Sequence, residues 1–329
     1  MLVYLLKRIA GAVITLIVMS SIIFCLQNVI PADPARAMAG PAAPAETLEA
    51  IRQQLGLREP VAVQYYRFMS RLVHGDLGTS VRTRQPVTSD VLQYLPATLE
   101  LALVSIVCGA ALGGSLALLQ FTLPQSGVVR LAIVGVGSTP IFLTSLLLAY
   151  FLWFRLGWFP GAGRLSGQDL SGPTGFNLVD GILLGRPEVS LDALRHIILP
   201  ALALALPIAV AVGRSLSGAL HDVMKQPYIR TARGKGISET SVLLRHGVRN
   251  AATAPLAMIG LQVGLIFGNL MIVERVFAWP GLGFYMVQAF ASADLPAVLG
   301  VAMVFGAFYI LVNILMEISQ SLADPRIGL

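Results

Sequence analysis

Apolar residues gather along this chain in long charge-free runs, at 9–32, 101–129, 131–154, 197–213, 251–273 and 295–316. About 20 such residues are needed for a helix to cross the hydrocarbon core of a bilayer. A charged side chain at the centre of a spanning helix costs roughly 2.5–3.5 kcal/mol on the insertion scale, so runs this free of charge are read as spans. The pattern predicts an all-α membrane protein with six transmembrane helices. Thr122 to Gly127 holds turn-forming residues that separate the second run from the third. The fourth run is short and carries Pro200 and Pro207, which bend a helix where neighbouring helices cover the freed carbonyl.

Between the fourth and fifth runs, residues 217–249 form a basic island. Lys225, Arg230, Arg233, Lys235, Arg245 and Arg249, with Arg214 at its edge, face only Asp222 and Glu239. Short loops with such an excess lie in the cytoplasm. Lys7 and Arg8 before the first run give the same orientation. Six spans then place both termini in the cytoplasm. The connections 33–96, 155–195 and 274–294 fall outside. The first apolar run is longer than the 7–15 residues of a signal-peptide core and other spans follow it, so it is read as a retained span. The organisation is thus an N-terminal span, 1–32; an extracytoplasmic region with short helices, 33–96; a core of five spans, 97–322; and a tail, 323–329. Within 33–96, Ala45–Arg52 and Val61–Leu72 have helical spacing, and Gln54-Leu55-Gly56-Leu57 reads as a helix end.

Inside the basic island, Lys225–Arg233 is expected to form one helix. Gly234 and Gly236 supply a break, and Ser238 is the N-cap of a second helix over Glu239–Asn250. Such a helix–turn–helix fits a lipid-anchored surface, at about 1 kcal/mol per basic residue. It equally fits a compact knob that docks in a partner and moves the attached spans.

Composition agrees with a membrane class: 56% of residues are apolar and 12% charged, with mean hydropathy +0.76. The net charge of +6 is carried by residues that border spans, which argues against a nucleic-acid partner. Cys25 and Cys108 sit in apolar runs as small hydrophobes, and the four histidines lack ligand spacing, so no metal site is expected. No phosphate-binding G-x-x-x-x-G-K-[ST] loop occurs, and no nucleophile–base grouping sits in a plausible pocket. The chain reads as a conduit rather than an enzyme. Ionisable residues in the spans are confined to their ends, at Glu100, Glu274, Arg275 and Glu317, which are read as satisfied interfacial charges. Gln262, Asn269 and Asn313 could line a path or hydrogen-bond between helices. Glycines at 109, 113 and 114, and at 260, 264 and 268, allow close helix approach, the second set being a candidate contact for another subunit.

Tyr228-Ile229-Arg230-Thr231-Ala232-Arg233-Gly234-Lys235-Gly236, followed by Leu244 to Ala251, closely resembles the cytoplasmic coupling loop of binding-protein-dependent ABC importer permeases. Arg230, Thr231, Ala232 and Gly236 match the Arg-Thr-Ala-x-x-x-Gly form of the peptide and nickel branch. Further similarity lies in Ile30-Pro31-Ala32-Asp33-Pro34, His74–Ser80, Leu95–Glu100, Phe277–Gly283 and Asp324-Pro325-Arg326-Ile327. Two departures are Ala32 where Gly is usual, and Pro255, one residue later than the branch's Leu-Pro. The ordered set is similar to the B-type subunit of dipeptide and oligopeptide permeases.

The resemblance implies a type I ABC importer permease fold in the bacterial inner membrane. It also implies a second homologous permease, two ATPase subunits that supply ATP and Mg chemistry, and an extracytoplasmic solute-binding protein. Tyr228, Arg230, Thr231, Ala232, Lys235, Gly236, Arg245 and Arg249 are then expected at the ATPase, with Asp76, Trp279, Pro280 and Gly281 facing the binding protein. Branch members carry dipeptides, longer peptides, glutathione or nickel chelates. The competing readings are a stand-alone secondary transporter or channel, and a membrane scaffold that transports nothing.

Overall fold

The computed structural model describes residues 2–29, 35–36, 43–54, 56–123, 126–167 and 172–323. The Ile30–Pro34 and Asp324–Ile327 motifs, the tail and Leu55 lie outside the described residues, as do the side chains of Lys7, Arg8 and Glu317. The described residues are helical and form no strand; an isolated antiparallel bridge joins Thr79 and Pro86. Among the described residues, four helices are long and apolar enough to cross a membrane: Val87–Thr122, Pro187–Val223, Thr253–Val276 and the apolar stretch Leu295–Met316. The helix Leu2–Val29 covers the first apolar run.

The third run departs from a single helix. It divides into Gly127–Ser138 and Ile141–Leu148, with the second piece continuing as a π-helix, Ala149–Arg155. Pro140 (φ −58°, ψ 143°) stands at the break. Its ring removes an amide donor, and its contact with the preceding residue disfavours helix there. The fourth run, by contrast, extends well past its apolar limits into one helix, Pro187–Val223, with Pro200 and Pro207 inside.

The chain divides into two compact units, residues 1–95 with 281–310, and residues 96–280 with 311–329. In the first, Ala45–Gln54 ends at Gly56 (φ +67°), whose amide and that of Leu57 bond back to Gln53 and Arg52. That is the glycine-closed end the sequence predicts. Val61–Val73 packs on the first helix through Phe24, whose ring centroid lies 5.3 Å from Tyr65 and 5.6 Å from Phe68. Val87, Val91, Leu282, Tyr285, Ala289, Ala297 and Val301 form its buried core, each large side chain contributing about 1.5–3 kcal/mol.

In the second unit Val87–Thr122 approaches Pro187–Val223 closely. A methyl group on Gly109 would meet Ile208 at 2.7 Å, and one on Gly113 would meet the Ala209 carbonyl at 2.9 Å. These glycines let the two backbones touch. The stripe at 260, 264 and 268 is looser where it is described: Gly260 faces Met316, and Gly268 faces open space. Pro255 sits in the first turn of Thr253–Val276, where a missing amide proton is harmless, so the shifted proline leaves the helix entry intact.

Candidate functional site

The basic island folds as a helical knob at the end of Pro187–Val223. Its first helix is Pro227–Gly234, two residues shorter at the start than predicted. Lys225 falls in a turn, and Pro227 opens the helix where its fixed φ is favourable. Gly236 (φ +77°) makes the reversal, with its amide donating to the Arg233 carbonyl at 2.9 Å. Ser238 occupies the N-cap position with extended backbone, but its side chain makes no cap hydrogen bond. The second helix begins at Glu239–Ser241 and then widens into a π-helix, Val242–Val248, before Arg249–Ala251. Across the turn, Arg233 grips Glu239 with two bonds, Nε–Oε1 at 2.7 Å and Nη2–Oε2 at 3.1 Å.

One face of this knob is apolar and hidden. Ile229 and Ala232, three residues apart, are buried with Met224 and Val242, and Phe121, Ile237 and Leu243 complete the cluster. A neighbouring cluster of Ala117, Leu216, Leu220 and Ala251 continues it along the spanning helices. The other face is polar and open: Tyr228, Arg230, Thr231, Lys235, Gly236, Arg245 and Arg249 are all exposed. Of the predicted coupling residues only Ala232 turns inward. The knob is therefore bolted through its core to the ends of two long helices while presenting cations and an aromatic ring outward.

Buried polar groups cluster in each unit. In the second, Glu100 receives Arg164 Nη2 at 2.6 Å and the Leu178 amide at 2.8 Å. Arg164 also donates to the Gly175 carbonyl and lies 5.7 Å from the Trp279 ring centroid. Glu274 is fully buried and accepts a bond from Thr98 Oγ1 at 2.8 Å. Asp180 takes the Thr174 hydroxyl and the Thr174 and Gly175 amides. Trp279, expected to face the binding protein, is only 1% exposed, and its Nε1 donates to the Ala97 carbonyl at 2.9 Å. Ala278 before it adopts φ +46°, the turn that tucks the indole inward. Asp76 is exposed, Pro280 half-buried and Gly281 buried. Sequence reading marked Glu100 and Glu274 but missed Arg164, Thr98 and Asp180, whose pairing depends on loops meeting in space.

In the first unit, Asp90 accepts Thr83 Oγ1 at 2.6 Å and Tyr285 Oη at 2.7 Å. Burial, reinforced by the bond to Asp90, holds the Tyr285 phenol above its ordinary value. Asp294 accepts the Ser80 hydroxyl and the Arg82 amide, while its other oxygen takes the Ala297 amide at 3.2 Å.

Gln262, Asn269 and Asn313 are half-buried in the second unit. A cavity of about 360 Å³ lies instead at the break in the third run, lined by Gly135, Thr139, Thr144, Phe151 and Leu206 among others, and none of the three polar candidates lines it.

Comparison with known proteins gives these features a context. The family described as "Binding-protein-dependent transport system inner membrane component" matches residues 90–329. Its N-terminal companion matches residues 1–102. The chain is 39% identical over 330 residues to the probable D,D-dipeptide transport system permease protein DdpB of Escherichia coli K12, covering 98% of this chain and 96% of that one. It is 34% identical over 331 residues to the glutathione transport system permease protein GsiC of the same organism, covering 99% of both chains. GsiC of Salmonella typhimurium LT2 matches at the same identity and coverage. This chain belongs to the family of inner-membrane components of binding-protein-dependent transport systems, the permeases of bacterial ABC importers.

Proposed function

We propose that this permease forms half of a solute path, paired with a second homologous permease, and takes its energy from two ATPase subunits through the knob at 217–249. Six spans with both termini cytoplasmic put that knob at the ATPases, and ATP and Mg belong to those partners. The observation that carries the proposal is the two-faced construction of Pro227–Gly234. Ile229 and Ala232 bind it to the spanning helices, and Tyr228, Arg230, Thr231 and Lys235 remain free to seat in a partner's groove. A knob so anchored transmits a partner's movement to the spans as a rigid body. Outside, Asp76 and Pro280 remain accessible for a solute-binding protein, while Trp279 and Gly281 are buried.

The substrate class is a short peptide, because relatives along nearly the whole chain are named for D,D-dipeptide and glutathione transport. A purely ion-driven carrier finds less support. Such carriers use intramembrane carboxylates as relays, and here Glu100 and Glu274 are buried at span ends and engaged by Arg164 and Thr98.

The test is reconstitution with the ATPase subunits and the solute-binding protein, followed by parallel measurement of ATP hydrolysis and peptide uptake. Gly236→Pro and Arg230→Glu are expected to abolish uptake and its dependence on ATP. Undiminished coupling in both variants would sink the proposal.

A further inference from the structure

The hairpin-like turn 79–86 in the first unit is built to hold its tip still. Ser80 and Gln85 share a backbone bond of 2.9 Å, the Arg84 amide donates to the Ser80 carbonyl at 3.0 Å, and the Thr79–Pro86 bridge closes the base. Two buried carboxylates pin it from below. Asp294 takes the Ser80 hydroxyl and the Arg82 amide; Asp90 takes the Thr83 hydroxyl. Tyr285 also donates to Asp90, and Tyr94 stacks on Tyr285 with centroids 5.0 Å apart. Every inward polar group of the turn named here is thus engaged.

The outward groups are different. Arg82 and Arg84 are exposed, and neither guanidinium comes within 4.0 Å of a carboxylate among the described residues. Arg82 rests over the Tyr285 ring, 5.4 Å from its centroid. Arg84 has φ +59°, a left-handed conformation that favours glycine or asparagine and costs roughly 1–2 kcal/mol for other residues. A turn needing only its shape would be more stable with Gly or Asn at 84. Arginine there offsets a backbone cost with a charge directed outward. The two carboxylates bonded to the turn, Asp90 and Asp294, are committed to donors beneath the tip.

We propose that Arg82 and Arg84 form a rigid cationic tip that docks an acidic patch on the extracytoplasmic solute-binding protein, an inference that rests on the permease reading above. A partner dependent on a binding protein must be found and oriented by diffusion, and charges at the rim of an interface act mainly on encounter rate and salt dependence. Holding both guanidinia on a satisfied, buried base reduces the ordering that docking would otherwise demand.

The experiment uses the full complex with its two ATPases in nanodiscs and follows ATP hydrolysis while the solute-binding protein is titrated at low and at high salt. The variant is Arg82→Gln with Arg84→Asn, since asparagine accepts the positive φ and preserves the turn. Its half-saturating concentration of binding protein is expected to rise about tenfold at low salt, with a flattened salt dependence. Hydrolysis without binding protein should stay at the wild-type level, which also reports an intact fold. An unchanged half-saturation overturns the inference while leaving the permease reading in place. So does a shift that disappears in nanodiscs of phosphatidylcholine alone, because the tip would then be reading anionic lipid. Failure of the wild-type complex to respond to any binding protein would instead remove the permease reading itself.

Discussion

Glu100 and Arg164 show what a single pair of residues does in this permease. Both are buried, joined at 2.6 Å, and each has a further backbone partner, the Leu178 amide for the carboxylate and the Gly175 carbonyl for the guanidinium. Removing one member strands a charge in a dry site, which costs about 3–5 kcal/mol, whereas removing both charges together is far milder. Arg164→Met is therefore expected to lower stability by about that amount in thermal unfolding of the purified protein. Adding Glu100→Gln should recover most of the loss, because a glutamine oxygen still accepts the Leu178 amide. If the double variant is as unstable as the single one, the Arg164 stem and its contact with Trp279 matter more than charge balance. The sequence marks Glu100 as an ionisable group at a span end, yet it carries no sign of Arg164. Arg164 lies 64 residues on, beyond two apolar runs and in a Gly- and Pro-rich connection without periodicity, so only tertiary folding brings the pair together. Trp279, expected to face the binding protein, is hidden for a related reason: the positive φ of Ala278 turns it inside.

Helices record the same division between local and distant causes. The two-helix knob and its Gly236 reversal are legible because a basic helical pattern, a glycine break and a cap residue are local signals. The π-winding of Val242–Val248 is not, since it changes the hydrogen-bond register without changing the residue pattern. The break at Pro140 had a signal in Ser138-Thr139-Pro140 that the length of the apolar run concealed. Glycine spacing was also ambiguous between helices. The tight crossing belongs to Gly109 and Gly113 against Pro187–Val223. Adjacent glycines in one helix give a controlled comparison. A methyl on Gly113 would meet the Ala209 carbonyl and the Val212 side chain at 2.9 Å, whereas one on Gly114 finds nothing within 4 Å. Gly113→Ala is expected to destabilise by about 1–3 kcal/mol through overpacking of the helix pair. Gly114→Ala should be neutral or gain up to about 1 kcal/mol from reduced backbone freedom. Unfolding midpoints of the two variants check the contrast, and equal midpoints would mean that the helices separate readily at this crossing.

At the scale of the whole molecule, function depends on which surfaces face which compartment. Cations of the knob are exposed at one end of Pro187–Val223, and the buried Glu100 and Glu274 networks stand at the other ends of their helices. A loop rich in Lys and Arg remains on the cytoplasmic side because moving such charges across the bilayer is costly. On the proposed orientation 217–249 faces the cytoplasm and its ATPases and 282–294 faces outside, and this can be tested without transport. In a background with Cys25 and Cys108 replaced by alanine, Ser292→Cys and Thr240→Cys each add one exposed thiol. A membrane-impermeant maleimide should label Ser292→Cys in intact spheroplasts. It should reach Thr240→Cys only in inverted vesicles stripped of ATPase subunits. The reverse pattern would turn the molecule over, placing the knob where no nucleotide is available and Arg82 and Arg84 where no solute-binding protein can approach. Labelling of both thiols from one side would instead require an even number of crossings between them, contrary to the two apolar helices Thr253–Val276 and Leu282–Ala291 being one span and one surface helix. Only opposite labelling keeps the energy input and the solute entry on separate faces, which vectorial import demands.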